Sequence, residues 1–314
     1  MGIDLPDHLL HVLQGGLNLR QEGYRGRFAP TPSGPLHLGN LRTALLSWLR
    51  ARLENGQWLL RIDDLDTLRI RPGSIESLLQ DLRWLGLSWD GPFFLQSSRR
   101  GLYNSFLSVM RRQGYLYPCR CSRRQLDGVR IYPGTCRFLN QDWGLRDARL
   151  PAWRLRVVEP FSTSVGDVIL RRADGVIGYH MATALDELAL GITEVVRGQD
   201  LASVCAAQRA VITCVGMASP RYEHVPLLCD SSGRKLSKRN HASGLDPLRD
   251  RGEASEQVVG TLAASLGLVP PGSSLSALEL LEELRTRQEL LTSLIADADS
   301  SGKLRDLSQK IPPK

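Results

Sequence analysis

The stretch from Tyr24 to Ile62 constrains this chain more than any other. A short apolar strand, Gly26 to Ala29, runs into Pro30 and Pro32, which stop it. Ser33-Gly34 turns the chain, and Leu36-His37-Leu38-Gly39 opens a helix carrying Leu41, Leu45, Trp48 and Leu49 at helical spacing. The pattern predicts that helix over about Leu41 to Asn55, ended by Gly56, with Gln57 to Ile62 as a buried strand. Strand, helix and strand within this length form a βαβ unit, half of a doubly wound parallel sheet of the α/β class. Free backbone N–H groups and the positive dipole end at the start of the helix make an anion site beside His37. Ligands in such sheets sit at the carboxyl ends of the strands, so Arg61-Ile-Asp63-Asp64-Leu-Asp66 should run to the pocket.

The rest of the chain divides by rhythm. Residues 1–24 hold a short apolar pattern (Leu9, Leu10, Val12, Leu13) that breaks at Gly15-Gly16 and read as an appendage. The first half of the doubly wound domain spans 25–114. It includes a helix begun near Pro72-Gly73-Ser74, with Ser74 as its cap, and another from Leu102 to Gln113. Residues 115–186 switch to short alternating stretches, Trp153 to Val157 and Asp167 to Arg171, as expected of an inserted β-rich segment. The α/β pattern resumes over 187–245 with the strand Ile192 to Gly198 and the helix Ser203 to Cys214. Residues 246–314 are helical in pattern (Leu262, Leu266; Leu278 to Leu284) and end in a polar tail.

Composition narrows the function classes. No apolar run approaches the ~20 residues of a membrane helix, and no basic lead-in to an apolar core marks a signal peptide. Six cysteines without a regular framework suit reduced thiols and a cytoplasmic location. A formal charge of +7 fits a polyanionic partner without requiring one.

Two elements carry the chemistry. His37-x-Gly39 resembles the HIGH element of class I aminoacyl-tRNA synthetases. Alone it is as readily structural. Far downstream, Lys235-Leu-Ser-Lys238-Arg239 resembles the KMSKS loop of the same family; alone it would be a solvated basic turn. Activating a carboxylic acid with ATP requires the carboxylate in line with the α-phosphate and positive donors on the phosphate oxygens. The resemblance assigns that work to His37, Lys235 and Lys238. It places ATP, with Mg²⁺, against Pro30, Thr31, Pro32, Ser33, Gly34, His37, Gly39 and Asn40, and against Lys235, Leu236, Ser237, Lys238 and Arg239.

Phe28 to His37, Arg61 to Asp66, Trp84-Leu-Gly-Leu and Thr193-Glu-Val-Val-Arg197-Gly are similar to glutamyl-tRNA synthetases over about residues 25 to 245. That similarity implies glutamate binding by Arg27, Phe28, Ala29, Pro30, Thr31, Asp63, Tyr179 and Arg197. Arg27 or Arg197 can pair a side-chain carboxylate, and Asp63 can take the ammonium. The family usually carries Glu where Asp63 stands, a carboxylate one methylene longer.

The region after the lysine loop is too short for the family's long anticodon-binding part. In that respect the chain resembles the glutamyl-Q tRNA(Asp) synthetases, shortened paralogues that activate glutamate without tRNA. They attach it to the queuosine base at the wobble position of tRNA(Asp). Those paralogues bind zinc through a Cys-x-Cys…Tyr-x-x-x-Cys set, matched here by Cys119, Cys121, Tyr132 and Cys136. Three thiolates and a fourth N or O donor make a closed structural Zn²⁺ site; from the residues alone a nearby His or water could replace Tyr132. Cys205, Cys214 and Cys229 lie in apolar pattern and read as core. Two alternatives stay open: an ordinary glutamyl-tRNA synthetase with a reduced anticodon module, or an inactive tRNA-binding paralogue.

Overall fold

The computed structural model describes residues 3–146, 148–226 and 244–287. In chain order the elements are α1 (Asp7–Gln21), β1 (Arg25–Phe28), α2 (Leu38–Leu53), β2 (Gln57–Ile62), α3 (Ser74–Trp84) and β3 (Phe94–Leu95). Then come α4 (Arg100–Arg112), β4 (Leu116–Cys119), β5 (Ala152–Leu155), α5 (Ser162–Val165), β6 (Ile169–Arg171) and α6 (Tyr179–Ala189). The last are β7 (Glu194–Gly198), α7 (Cys205–Cys214), β8 (Arg221–Val225), α8 (Asp246–Asp250), α9 (Ser255–Ala264) and α10 (Ala277–Arg285).

β1, β2 and β3 pair in parallel, as do β7 and β8. β7 lies along the other edge of β1, where the Thr193 N–H donates to the Arg25 carbonyl at 2.9 Å. The order across the layer is therefore β3-β2-β1-β7-β8, and its direction of growth reverses between β1 and β7. Both faces are covered, so β1 is buried along its whole length and β2 from Trp58 onward, including the arginines they carry. Trp58, Leu60, Ile62, Val196 and Val225 join a core with α2, α3, α9 and α10. Leu59, Val195 and Tyr222 face the opposite way, the side on which α1, α4, α6 and α7 form a second core. The inserted segment holds the antiparallel sheet β4-β5-β6.

Three local expectations are corrected. α1 does not break at Gly15-Gly16; it runs through both glycines and adds Leu9 and Leu13 to the core. Gly16 is needed because the α6 backbone crosses there, and a Cβ would lie 1.9 Å from the Leu188 carbonyl oxygen. α2 begins three residues earlier than its apolar stripe, because the His37 imidazole caps it by accepting from the Asn40 N–H at 3.2 Å. Ser74 is not the cap of α3. Gly73 holds that position with a left-handed φ of 74°, and Ser74 Oγ instead donates to the carbonyls of Pro32 and Arg71.

Candidate active site

At the carboxyl ends of β1 and β7, where the strand order reverses, a cleft of about 190 Å³ opens. This is the crevice in which doubly wound sheets hold their ligands. Arg27, Phe28, Ala29 and Pro30 leave β1 along one wall; His37, Gly39 and Asn40 open α2 above them; Tyr179 and Arg197 close the other side. A Cβ built on Gly39 would sit 3.1 Å from the imidazole Cε1 and Nδ1 of His37, a tight approach. The ring thus folds over its own helix start, beside the free N–H groups.

Charge dominates the interior. Arg27, Arg61 and Arg197 are each buried and line the cleft. Arg27 donates to Glu187 Oε1 at 3.3 Å and to the Val196 carbonyl at 3.2 Å. Burial lowers its pKa, Glu187 opposes that shift, and the neighbouring Arg61 and Arg197 add to it. Arg27 Nε and Arg61 Nη1 are buried without a hydrogen-bond partner. An anion brought into the cleft relieves the repulsion among three guanidinium groups.

Other expected residues stand elsewhere. Asp63 does not line the cleft. Its carboxylate accepts from Arg61 Nε at 2.7 Å and Nη2 at 3.1 Å, and burial raises its pKa against the pull of Arg61. Thr31, Pro32, Ser33 and Gly34 are also outside the lining. The Ser33 N–H closes a turn on the Thr31 carbonyl at 2.8 Å, and the Pro32 carbonyl accepts from the Arg71 N–H at 3.0 Å. Lys235, Leu236, Ser237, Lys238, Arg239 and Cys229 lie outside the described residues. Cys214 packs half-buried against the second core. Cys205 packs half-buried against the small core of Leu59, Ile192, Val195 and Tyr222, and from the start of α7 it also accepts from Arg197 Nη2 at 2.7 Å.

Four contributors were given no role of their own in the sequence reading. Arg61 was legible, since strand alternation sets it on the same side as Asp63. Arg42, five residues after His37, reaches the Pro226 carbonyl and lines the cleft. Asp200 lines it from the turn after β7. Glu187 is fully buried and also accepts from Tyr222 Oη at 2.9 Å; its only signal was a charge inside an apolar helix.

In the inserted segment, Cys119, Cys121 and Cys136 bring their Sγ atoms within 4.8 Å of one another as free thiols. Tyr132 Oη lies 3.5 Å from the Sγ of both Cys119 and Cys121, and the Arg154 guanidinium packs on its ring at 3.6 Å. Three sulfurs and one phenol oxygen so gathered form a donor set able to hold a tetrahedral metal ion.

Residues 24–135 and 156–299 match the family described as tRNA synthetases class I (E and Q), catalytic domain. A protein of Prochlorococcus marinus (strain MIT 9303), named glutamyl-Q tRNA(Asp) synthetase, is 59% identical over 299 residues, which cover 93% of this chain and 98% of that one. One of the same name from Nocardia farcinica is 43% identical, covering 79% of this chain and 86% of the other. Among solved structures, the glutamate-tRNA synthetase of Elizabethkingia anophelis superposes with a TM-score of 0.68 at 26% identity over 82% of this chain. This chain spans 65% of that synthetase's length. No helix among the described residues is long and apolar enough to cross a membrane. With the arginine-lined cleft at the sheet's point of reversal and matches of this extent, the chain belongs to the class I tRNA synthetases of the glutamate and glutamine group.

Proposed function

We propose that this chain activates glutamate with ATP, without needing tRNA, and transfers the glutamyl group to the queuosine base of tRNA(Asp) in the cytoplasm. The observation that carries the reading is the cleft, with its three converging arginines, in a chain 59% identical to a glutamyl-Q tRNA(Asp) synthetase over nearly the whole length of both. Arg27 and Arg197 bind the glutamate side chain or its α-carboxylate, and Tyr179 bounds the pocket. Asp63 meets the ammonium only while sharing its oxygens with Arg61. His37 and the helix start beside it stand where a phosphate would be held. Lys235 and Lys238 supply the opposing positive charge in the transition state.

The cysteine cluster supports a zinc ion held by Cys119, Cys121, Cys136 and Tyr132. Bound there, zinc supplies cross-linking of the inserted segment and takes no part in glutamate activation.

The test has two stages. Glutamate-dependent ATP–pyrophosphate exchange should proceed with no tRNA present, and Lys238→Ala should slow it roughly a hundredfold. Radiolabelled glutamate should then enter tRNA from cells that make queuosine and not tRNA from cells that cannot. Equal labelling of both pools would return the chain to ordinary 3′-terminal charging.

A further inference from the structure

The guanidinium of Arg197 is held from behind on all three of its nitrogens. Nη1 donates to Gln208 Oε1 at 2.8 Å, Nη2 to Cys205 Sγ at 2.7 Å, and Nε to His224 Nε2 at 3.4 Å. The plane lies over the Tyr222 ring, 4.7 Å from its centroid. Arginine has five N–H donors. Three are taken by these partners, so each η nitrogen keeps one, and Arg197 is among the residues that line the cleft.

The local fold explains this cradle. β7 ends at Gly198, a turn of 3-10 helix over Gln199–Val204 folds the chain back, and α7 then starts at Cys205. Cys205 and Gln208 stand three apart on one face of α7, so both reach the same guanidinium. His224 lies opposite Arg197 in the β7–β8 ladder, and its Nε2 is also 3.4 Å from the Cys205 sulfur.

The three partners are unequal. Gln208 is a full neutral acceptor, whereas a thiol is a weak one. A carboxylate at position 205 would pair Arg197 outright and cancel the charge that a substrate carboxylate needs. Burial pushes the Cys205 thiol up, with Arg197 opposing, so the group stays protonated at neutral pH. It fixes the direction of Nη2 while leaving the guanidinium its charge.

We propose that Cys205 is a positioning residue for amino-acid selection. By holding Arg197 as a neutral acceptor it aims the free η donors at the substrate carboxylate, and so sets the preference for glutamate over glutamine. This rests on the reading of the cleft as a glutamate site.

The experiment uses the full chain, with ATP–pyrophosphate exchange as the assay and glutamate, glutamine and ATP varied in turn. Cys205→Ala should raise the KM for glutamate about tenfold, leave the KM for ATP unchanged and narrow the preference for glutamate over glutamine. Cys205→Ser, which keeps a neutral acceptor, should recover most of both. Cys205→Asp should abolish glutamate-dependent exchange while melting within a few degrees of the parent protein. A KM for glutamate unchanged in Cys205→Ala would overturn the proposal. So would equal rises in both KM values, or a Ser variant no better than Ala. A parent protein with no glutamate-dependent exchange would instead remove the glutamate reading itself, a different result from any variant's.

Discussion

Arg61 and Asp63 close on each other as a fork at the carboxyl end of β2, Nε to Oδ1 at 2.7 Å and Nη2 to Oδ2 at 3.1 Å. Both side chains are nearly sealed from solvent. Both oxygens of the Asp63 carboxylate are thus met by the arginine two residues before it. Removing the carboxylate strands a buried guanidinium, with Asp186 at 3.6 Å the nearest remaining countercharge. Asp63→Asn should therefore lower the unfolding free energy by about 3 kcal/mol, seen as a lower urea midpoint, and should weaken glutamate-dependent exchange as well. An unchanged midpoint would mean that Arg61 is compensated elsewhere.

Gly15 and Gly16 are neighbours in sequence with opposite surroundings. Nothing lies within 4 Å of a Cβ built on Gly15, whereas one on Gly16 meets the Leu188 carbonyl oxygen at 1.9 Å. Gly15→Ala should stabilise by up to about 1 kcal/mol through helix propensity. Gly16→Val should cost about 3 kcal/mol or more, because α1 and α6 must part. Thermal melts of the two variants, moving in opposite directions, check the helix crossing.

The purified protein should carry about one zinc ion per chain by elemental analysis. Cys121→Ser should lose it and melt at lower temperature, since a structural metal contributes its binding energy to folding. Metal-free protein of undiminished stability would remove zinc from the reading.

His180 sets an acid limit. Burial, with Arg197 adding to it, pushes its pKa down to about 4, against about 6.5 in the unfolded chain. Between those values the unfolded state binds more protons, so stability falls as pH drops from about 6.5 toward 4. The contribution is at most about 3 kcal/mol. Urea midpoints across this window should slope less in His180→Gln than in the parent protein; parallel slopes would assign the acid limit to other groups.

How far the sequence could be read depended on whether a signal was local. A continuous buried run and a helical stripe located β2 and α2, because each pattern is carried by the element's own residues. The three cysteines stood out by their spacing, whereas Tyr132 entered only through the resemblance to the shortened paralogues. The partner of Glu187 was not legible, since Arg27 is 160 residues away, and no local pattern encodes which buried carboxylate meets which arginine. The role of Gly16 was hidden for the same reason: a glycine that ends a helix and one that lets another backbone pass look alike in sequence. Asp63 was read toward the substrate because its neighbour Arg61 was not weighed as a competing partner.

The join between β1 and β7 bears on how the chain is made. Thr193 and Arg25, whose hydrogen bonds fix that join, are 168 residues apart. At roughly 5–20 residues per second, β1 leaves the ribosome some 8–34 s before its outer neighbour exists. For that interval the nascent chain presents a bare strand edge, the feature from which intermolecular pairing starts. Codon choice that shortens the wait between β1 and β7, or chaperone supply that covers the edge meanwhile, should raise soluble yield without touching a single contact of the finished protein.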